Sequence, residues 1–385
     1  MKKISLVRSE ILAVVIMTAL VFLLMMAGSA RAESRELRKT MTARSLGMGG
    51  AFTAVADDGG AVIYNPAGLV ESDFMGVMAA GGAQADNPTE FRGLLEAGDD
   101  FAAGIEDSPE DILAGLPTDV SAVGQGLVSL SLGTSAVAGD LRSEISGFAD
   151  EDALEADLNY SSNGSARVGL SADILRIPAE VGTAAYGLNL RYNRLADGSY
   201  RIYKEDGDTY RKWEETAGAG LAVDGGLLLQ MTPLVHMGLM VENAWAQSFD
   251  LTGEREVYEY DDPEEEWERD ETKSEADLRR EFSPDRKGRI GVAARIPVIK
   301  TTVAADLENA PLLSETEADP VLFLGMENEM LFETISLRAG TYSFDSRVFT
   351  AGAGISLAGA EADIGAGYSP GGNFATVMVQ LGLGF

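Results

Sequence analysis

Residues 375–385 read ATVMVQLGLGF. Ala375, Val377, Val379, Leu381, Leu383 and Phe385 are apolar, while Thr376, Met378, Gln380, Gly382 and Gly384 between them are small or polar, Met378 excepted. Successive side chains of a strand point to opposite faces, so this alternation describes a strand with one greasy face. The pattern recurs upstream. In 217–231 one face is Ala217, Ala219, Leu221, Val223, Gly225, Leu227, Leu229 and Met231, and the other is Gly218, Gly220, Ala222, Asp224, Gly226, Leu228 and Gln230. In 235–247 Val235, Met237, Leu239 and Val241 oppose His236, Gly238, Met240 and Glu242.

Working outward, the alternating stretches give 14 antiparallel strands, at 72–84, 125–137, 141–149, 157–176, 182–194, 215–231, 234–251, 287–297, 299–309, 320–329, 332–343, 347–357, 359–368 and 374–385. A further stretch, 198–211, can extend a strand above the membrane. Short connections (Thr232-Pro233, Pro297-Val298, Leu331-Phe332, Ala358-Gly359) alternate with longer or charged ones (196–214, 253–286, 310–320). Short turns at one end and long loops at the other organise a transmembrane β-barrel, and an even strand count brings both ends of the wall to the periplasmic side. A secreted β-sandwich also alternates, but it carries charge on its outer face. Here Arg167, Asp173, Arg191, Asp224, Glu242, Arg295, Asp306, Glu327, Arg338 and Asp363 share the face opposite the apolar one, beside glycine and alanine. A polar interior behind an apolar exterior favours the barrel.

The N-terminus reads as an export signal over 1–32. Lys2, Lys3 and Arg8 precede an apolar run from Ile11 to Gly28, and Ala30-Arg31-Ala32 matches a cleavage site. A retained anchor is the rival, since 18 residues just suffice to span a bilayer. Cleavage leaves 26 basic against 60 acidic residues, a net charge of −34, compared with −31 for the whole chain. So acidic a chain is unsuited to nucleic acid, whose phosphates require a basic surface. The absence of cysteine excludes disulfides and thiolate metal sites. His236, the one histidine, has no serine or acid placed beside it to make a catalytic site. Neither enzyme activity, a cofactor nor a metal is expected.

Residues 44–69 read RSLGMGGAFTAVADDGGAVIYNPAGL. The pieces Gly47-Met48-Gly49-Gly50-Ala51-Phe52, Ala54-Val55-Ala56-Asp57-Asp58 and Asn65-Pro66-Ala67-Gly68-Leu69 resemble, in order, the N-terminal motif of the outer-membrane long-chain fatty acid transporter (FadL) superfamily, which includes PorV-like and TraF-like barrels. The strand at Asp224-Gly225-Gly226 and the hairpin Gly325-Met326-Glu327 to Leu337-Arg338-Ala339-Gly340 are similar to it more loosely. The resemblance implies a bacterial outer-membrane location and an N-terminal plug over 33–71, with Gly47, Gly49, Gly50, Asn65, Pro66 and Ala67 as plug residues, inside a barrel formed by 72–385. It also implies that Phe385 is the signal read by the barrel assembly machinery. Glycines suit tight turns in a confined lumen, and Asn65 before proline is biased to an extended or turn conformation. A purely structural role for the motif remains open at this point.

Specificity is expected at the loop end. Asn87-Pro88-Thr89-Glu90 starts a helical insert over 87–118 whose Phe91, Leu94, Leu95 and Ile105 share a face. That face either packs on the rim or captures a hydrophobic ligand, as the resemblance implies. The acidic loop 253–287 holds 15 acidic and 7 basic residues. It reads as a solvated tip, with cation bridging to lipopolysaccharide as the sharper alternative. Lumen polar residues are Asp224, His236, Glu242, Glu327 and Arg338, and Glu327 and Arg338 are close enough for a diagonal contact. The expected function is passive uptake of hydrophobic small molecules, such as fatty acids or aromatics, by capture at the apolar insert and passage controlled by plug movement. A transporter should show a continuous apolar path from insert to plug, and a sealed lumen packed with salt bridges would count against transport. The alternative is a non-transporting PorV-like or TraF-like partner in secretion, conjugation or assembly.

Overall fold

The computed structural model describes residues 41–86, 119–150, 153–176, 182–261, 266–315, 319–343, 347–370 and 374–385. The expected signal peptide (1–32) and the helical insert (87–118), with Phe91, Leu94, Leu95 and Ile105, lie outside the described residues. The strands are β1 (Met75–Asp86), β2 (Asp119–Leu132), β3 (Ser135–Asp150), β4 (Glu155–Arg176), β5 (Thr183–Glu205), β6 (Asp208–Thr232), β7 (Val235–Ala246), β8 (Phe249–Asp261), β9 (Glu266–Arg269), β10 (Glu275–Phe282), β11 (Lys287–Ile296), β12 (Thr301–Glu308), β13 (Val321–Met330), β14 (Ile335–Ser343), β15 (Arg347–Leu357), β16 (Ala360–Ser369) and β17 (Phe374–Gly384).

Fourteen of them, β1–β7 and β11–β17, close into an antiparallel barrel. Closure is made by β1, which pairs with β2 on one side and β17 on the other, with Ala83 opposite both Gly124 and Val377. Every backbone donor and acceptor in the wall can then be met by a neighbouring strand, which hydrocarbon demands because it offers no hydrogen bonds. The apolar faces point outward: Val128, Leu130, Val137, Leu188, Ile364, Val379 and Leu381 are each about half exposed, while Asn189, Asp224, Asp306, Glu327 and Gln380 on the other face are buried. An outside this greasy on neighbouring strands requires lipid.

Two strand assignments differ from the expectation, at the second hairpin and in the acidic stretch, while 198–211 extends two strands above the membrane as the sequence allowed. The turn between the second and third strands falls at Gly133, in the left-handed region (φ 56), rather than after 137; β2 runs back to Asp119 instead of starting at 125. Residues 196–214 form the tops of β5 and β6, joined at Asp206-Gly207, where both residues have positive φ. An Asp-Gly pair suits that tight turn because both central positions of a type I′ turn need it. The acidic stretch 253–287 is likewise mostly strand. β8 leaves the wall above β7 and pairs with the upper part of β6 and with β10, while β9 pairs with β8. One side of the barrel therefore rises well above the rest. Small side-chain clusters hold this tall side. Arg211 lies between the rings of Tyr258 and Trp267, at 4.8 and 4.7 Å. Lys273 Nζ donates to Glu205 and sits over Tyr210.

Val379 lies halfway along β17 and faces outward, so Val379→Arg should lower the unfolding free energy in lipid vesicles by about 2–4 kcal/mol. Urea titration of the folded protein measures it, and a change within about 0.5 kcal/mol contradicts a lipid-facing position.

Candidate functional site

Residues 41–71 fill the lumen as a plug. Helix α1 (Ala43–Gly47) starts at Thr42, which forms a capping box with Ser45, and α2 (Ala61–Tyr64) is followed by a 3-10 turn over Pro66–Val70. Both helices are too short to persist alone in water, so their stability comes from the surrounding wall. Leu46, Met48, Phe52, Val62, Ile63, Tyr64 and Leu69 are almost wholly buried, and Phe52 meets Tyr64 edge-on at 5.1 Å.

The plug lies backbone against backbone on a belt of wall glycines. A Cβ at Gly187 or Gly226 would overlap Asn65 or Pro66, one at Gly238 would overlap Thr53, and one at Gly325 or Gly340 would overlap Met48 or Gly49. A Cβ at Gly365 would overlap Ala43 O at 2.5 Å, and one at Gly352 would lie 3.0 Å from Gly47 Cα. The plug motif completes the fit: Gly49 and Gly50 have φ of 63° and 81°, which L side chains seldom adopt. Asn65 is extended, as a residue before proline prefers. Its Nδ2 donates to Thr53 O at 2.9 Å and to the wall carbonyl of Leu227 at 3.0 Å, and its Oδ1 accepts from Ala67 N at 3.2 Å. Pro66 opens the 3-10 turn, and Ala67 is buried against the wall. The structure thus brings all six motif residues, Gly47, Gly49, Gly50, Asn65, Pro66 and Ala67, into the plug or its contacts.

Charges fasten the plug. Asp306 Oδ2 accepts from the backbone N–H groups of Phe52 and Thr53 (3.0 and 2.9 Å) and from Thr53 Oγ1 (2.7 Å). Arg289 donates to Gly50 O and pairs with Glu308 at 2.9 Å. Arg44 bridges the plug's Asp57 and Asp58 to the wall's Glu327. Glu327 and Arg338 are direct cross-strand partners in the register, rather than a diagonal pair, and Arg338 continues to Asp363. A buried ion costs several kcal/mol to desolvate, and this chain of partners offsets that cost. Asn189 Nδ2 donates to Val62 O at 2.6 Å. Sequence reasoning placed Asp306 in the lumen without seeing it as an anchor, and it missed Arg44, Asn189 and Arg289. Their signal was a polar residue on the inward parity of a strand, or an arginine inside the motif.

At the loop end a cavity of about 810 Å³ opens under the tall side. Its lower part is a charged layer: Arg191 pairs with Asp224 at 3.0 Å and Glu242 at 3.2 Å, and Asn243 N donates to Asp224 at 3.0 Å. Asn243 adopts φ 53 in a bulge where Glu242-Asn243-Ala244 faces the single residue Asp224. Bulges re-aim side chains, and this one turns Asn243 toward the layer. Asp224 and Glu242 therefore share a site, whereas Glu327 and Arg338 belong to the plug network and His236 stands apart, 3.9 Å from Glu71 near the short-turn end. Glu214, in the upper part of β6 beyond the membrane span, is held below the ordinary carboxylate range. Burial pushes it up, but hydrogen bonds from Lys212 (2.8 Å) and Arg255 (3.1 Å) more than offset this. The continuous apolar path expected from the sequence is not present among the described residues: the cavity is lined mainly by polar side chains and is closed below by the plug.

No family model matches the chain, and no curated protein does. Solved structures do. The crystal structure of the Ralstonia pickettii toluene transporter TbuX is 12% identical, with a TM-score of 0.54, covering 90% of this chain and 98% of that one. A Pseudomonas aeruginosa FadL homologue is 10% identical with a TM-score of 0.56, covering 89% and 98%. The P. putida toluene transporter TodX is 11% identical with a TM-score of 0.56, covering 90% and 99%. The chain has the fold of these barrels over nearly its whole length.

Gly340→Ala would drive a methyl into the Gly49 backbone, so it should destabilise the plugged barrel by about 1–3 kcal/mol and expose the plug to protease. Gly124→Ala, with open space around it, should stay within about 0.5 kcal/mol. Equal behaviour of the two variants in unfolding and limited proteolysis would contradict the seat described here.

Proposed function

We propose that the protein is a bacterial outer-membrane channel for passive uptake of hydrophobic small molecules, with monoaromatics favoured over long-chain fatty acids. The observation that carries this is the stacking of a vestibule of about 810 Å³ on a polar-anchored plug within one closed barrel. Support also comes from the fold it shares with two toluene transporters and with the monoaromatic hydrocarbon channel CymD. The vestibule suits a single ring better than an extended acyl chain, because its apolar lining is confined to a few side chains such as Leu195, Phe249 and Phe282. In this mechanism the short-turn end, with Phe385, faces the periplasm and is handled by the barrel assembly machinery. The acidic tall side faces lipopolysaccharide. Solute enters the vestibule from outside, and passage requires the plug to shift from its glycine seat. No chemistry and no cofactor take part.

A second reading has its own support. Most of the plug is buried and it is tied by ion pairs, which is what a non-transporting barrel serving a secretion or assembly partner would also need. Two measurements separate them. Vesicles carrying the purified protein should take up toluene several-fold faster than protein-free vesicles, and deletion of the gene should slow growth on a limiting monoaromatic carbon source. If deletion leaves uptake normal while a surface protein fails to appear, the partner reading replaces the channel.

A further inference from the structure

We infer that the adjacent short turns β11–β12 and β13–β14 dip into the lipid leaflet at their end of the barrel, as an apolar foot covered by phospholipid acyl chains. With the short-turn end toward the periplasm, this is the inner leaflet. Lipid contact here is independent of transport and holds for either function considered above. The first turn reads Pro297-Val298-Ile299-Lys300 and the second Leu331-Phe332-Glu333-Thr334. Turns in water favour Asn, Asp, Gly and Ser. Here Val298 is 93% exposed and Phe332 96%, with Ile299 and Leu331 more than half exposed. Leu331, Phe332 and Glu333 all have positive φ (48, 59 and 69), which bulky side chains seldom adopt. The chain thus holds a phenyl ring away from the protein in a backbone conformation that glycine would take more easily.

Continuity with the lipid-facing wall identifies what covers the tips. Met330, which leads into the second turn, lies on the face opposite the inward Glu327. It pairs with Ile335, and Ile335 with the exposed Ile355, so an apolar row crosses β13, β14 and β15 and runs into the tip. A soluble partner would meet the tips alone, whereas lipid covers the row and the tips as one surface. The backbone is prepared for that setting. Ile299 O accepts from Asn328 Nδ2 at 2.7 Å and from Thr301 Oγ1 at 3.1 Å, and Lys300 O accepts from Glu329 N at 2.9 Å. Leu331 O accepts from Thr334 N at 3.2 Å, and Thr334 O from Ser356 N at 2.9 Å. Irregular backbone can approach hydrocarbon only when its polar groups are met within the protein. The charges beside the tips also cancel, because Lys300 Nζ meets Glu333 Oε1 at 2.9 Å across the two turns. That pair can stay among the headgroups, Lys300 on its long stem, while Val298 and Phe332 lie deeper.

The chain has no cysteine, so single labels can be placed at will. Phe332→Cys and Val298→Cys are each labelled with a thiol-reactive bimane and held one barrel per phospholipid nanodisc, where both rims are open to water. Leu381→Cys on the lipid-facing wall and the exposed Glu271→Cys on the tall side give the two limits. Acyl chains brominated near the ester end should quench the turn labels to within about twofold of the wall label, and iodide should quench them less than about one third as well as the Glu271 label. Val298→Cys, which keeps Phe332, decides where the two turn labels differ. A label closer to the Glu271 limit than to the wall limit stands in water, as the surface of a soluble partner requires, and overturns the inference. Protection from both quenchers places the turns against protein and overturns it as well. Toluene uptake by vesicles is measured separately. Its failure removes the channel and leaves the lipid contact standing, whereas water-exposed turns on a barrel that transports remove the contact alone.

Discussion

The plug can lie inside this barrel only because the wall beneath it is made of glycine. Gly187 and Gly226 are cross-strand partners under Asn65 and Pro66, Gly238 and Gly291 are partners under Thr53, and Gly325 and Gly340 are partners under Met48 and Gly49. Each missing side chain lets two backbones approach to van der Waals distance. The helices of the plug are short, and its loops carry carbonyls and N–H groups that need partners. At that close range Asp306, Asn189, Arg289 and the Leu227 carbonyl can supply them. The ion chain from Asp57 through Arg44, Glu327 and Arg338 to Asp363 then ties plug to wall at the short-turn end, where it lines a cavity of about 350 Å³.

Much of the barrel was legible in the sequence, because lipid outside and a polar lumen inside impose a period of two that survives single irregularities. The final strand is the clearest case: Val377, Val379 and Leu381 face out while Thr376, Met378 and Gln380 are buried. Legibility failed where that constraint relaxes. Above the membrane the tops of β5, β6, β8 and β10 have no lipid to face, so their charged residues alternate poorly: 198–211 could be read only as an optional strand extension, and 253–287 looked like loop. The turn at Gly133 was misplaced because Ser135, Ala136 and Ala138 continue a small, weakly polar pattern through it. The glycine motif of the plug was visible, but its seat was not. The wall glycines sit at ordinary inward positions on β5–β7, β11 and β13–β16, and only closure of the sheet lines them up.

The candidate site divides accordingly. Glu327 and Arg338 were found from parity, and they serve the plug. Asp224 and Glu242 were found in the same way, and they belong to the floor of the vestibule with Arg191 and Asn243. Phe249 and Phe282 went unnoticed. Phe249 lies at the end of the strand read over 234–251 and Phe282 inside the segment taken for a loop, and they meet only because β8 and β10 pair. A sealed plug below a polar vestibule makes plug displacement the step on which transport depends.

That step can be tested directly because the chain has no cysteine of its own. Asp57 of the plug and Arg295 of the wall come within 3.9 Å of each other, so Asp57→Cys with Arg295→Cys, joined by a short bis-methanethiosulfonate linker, ties the plug to the wall through bonds that a reductant cleaves. In vesicles containing this double variant, the account predicts that toluene flux is lost on cross-linking and returns on reduction. Equal flux from the fully cross-linked and the reduced protein would contradict it.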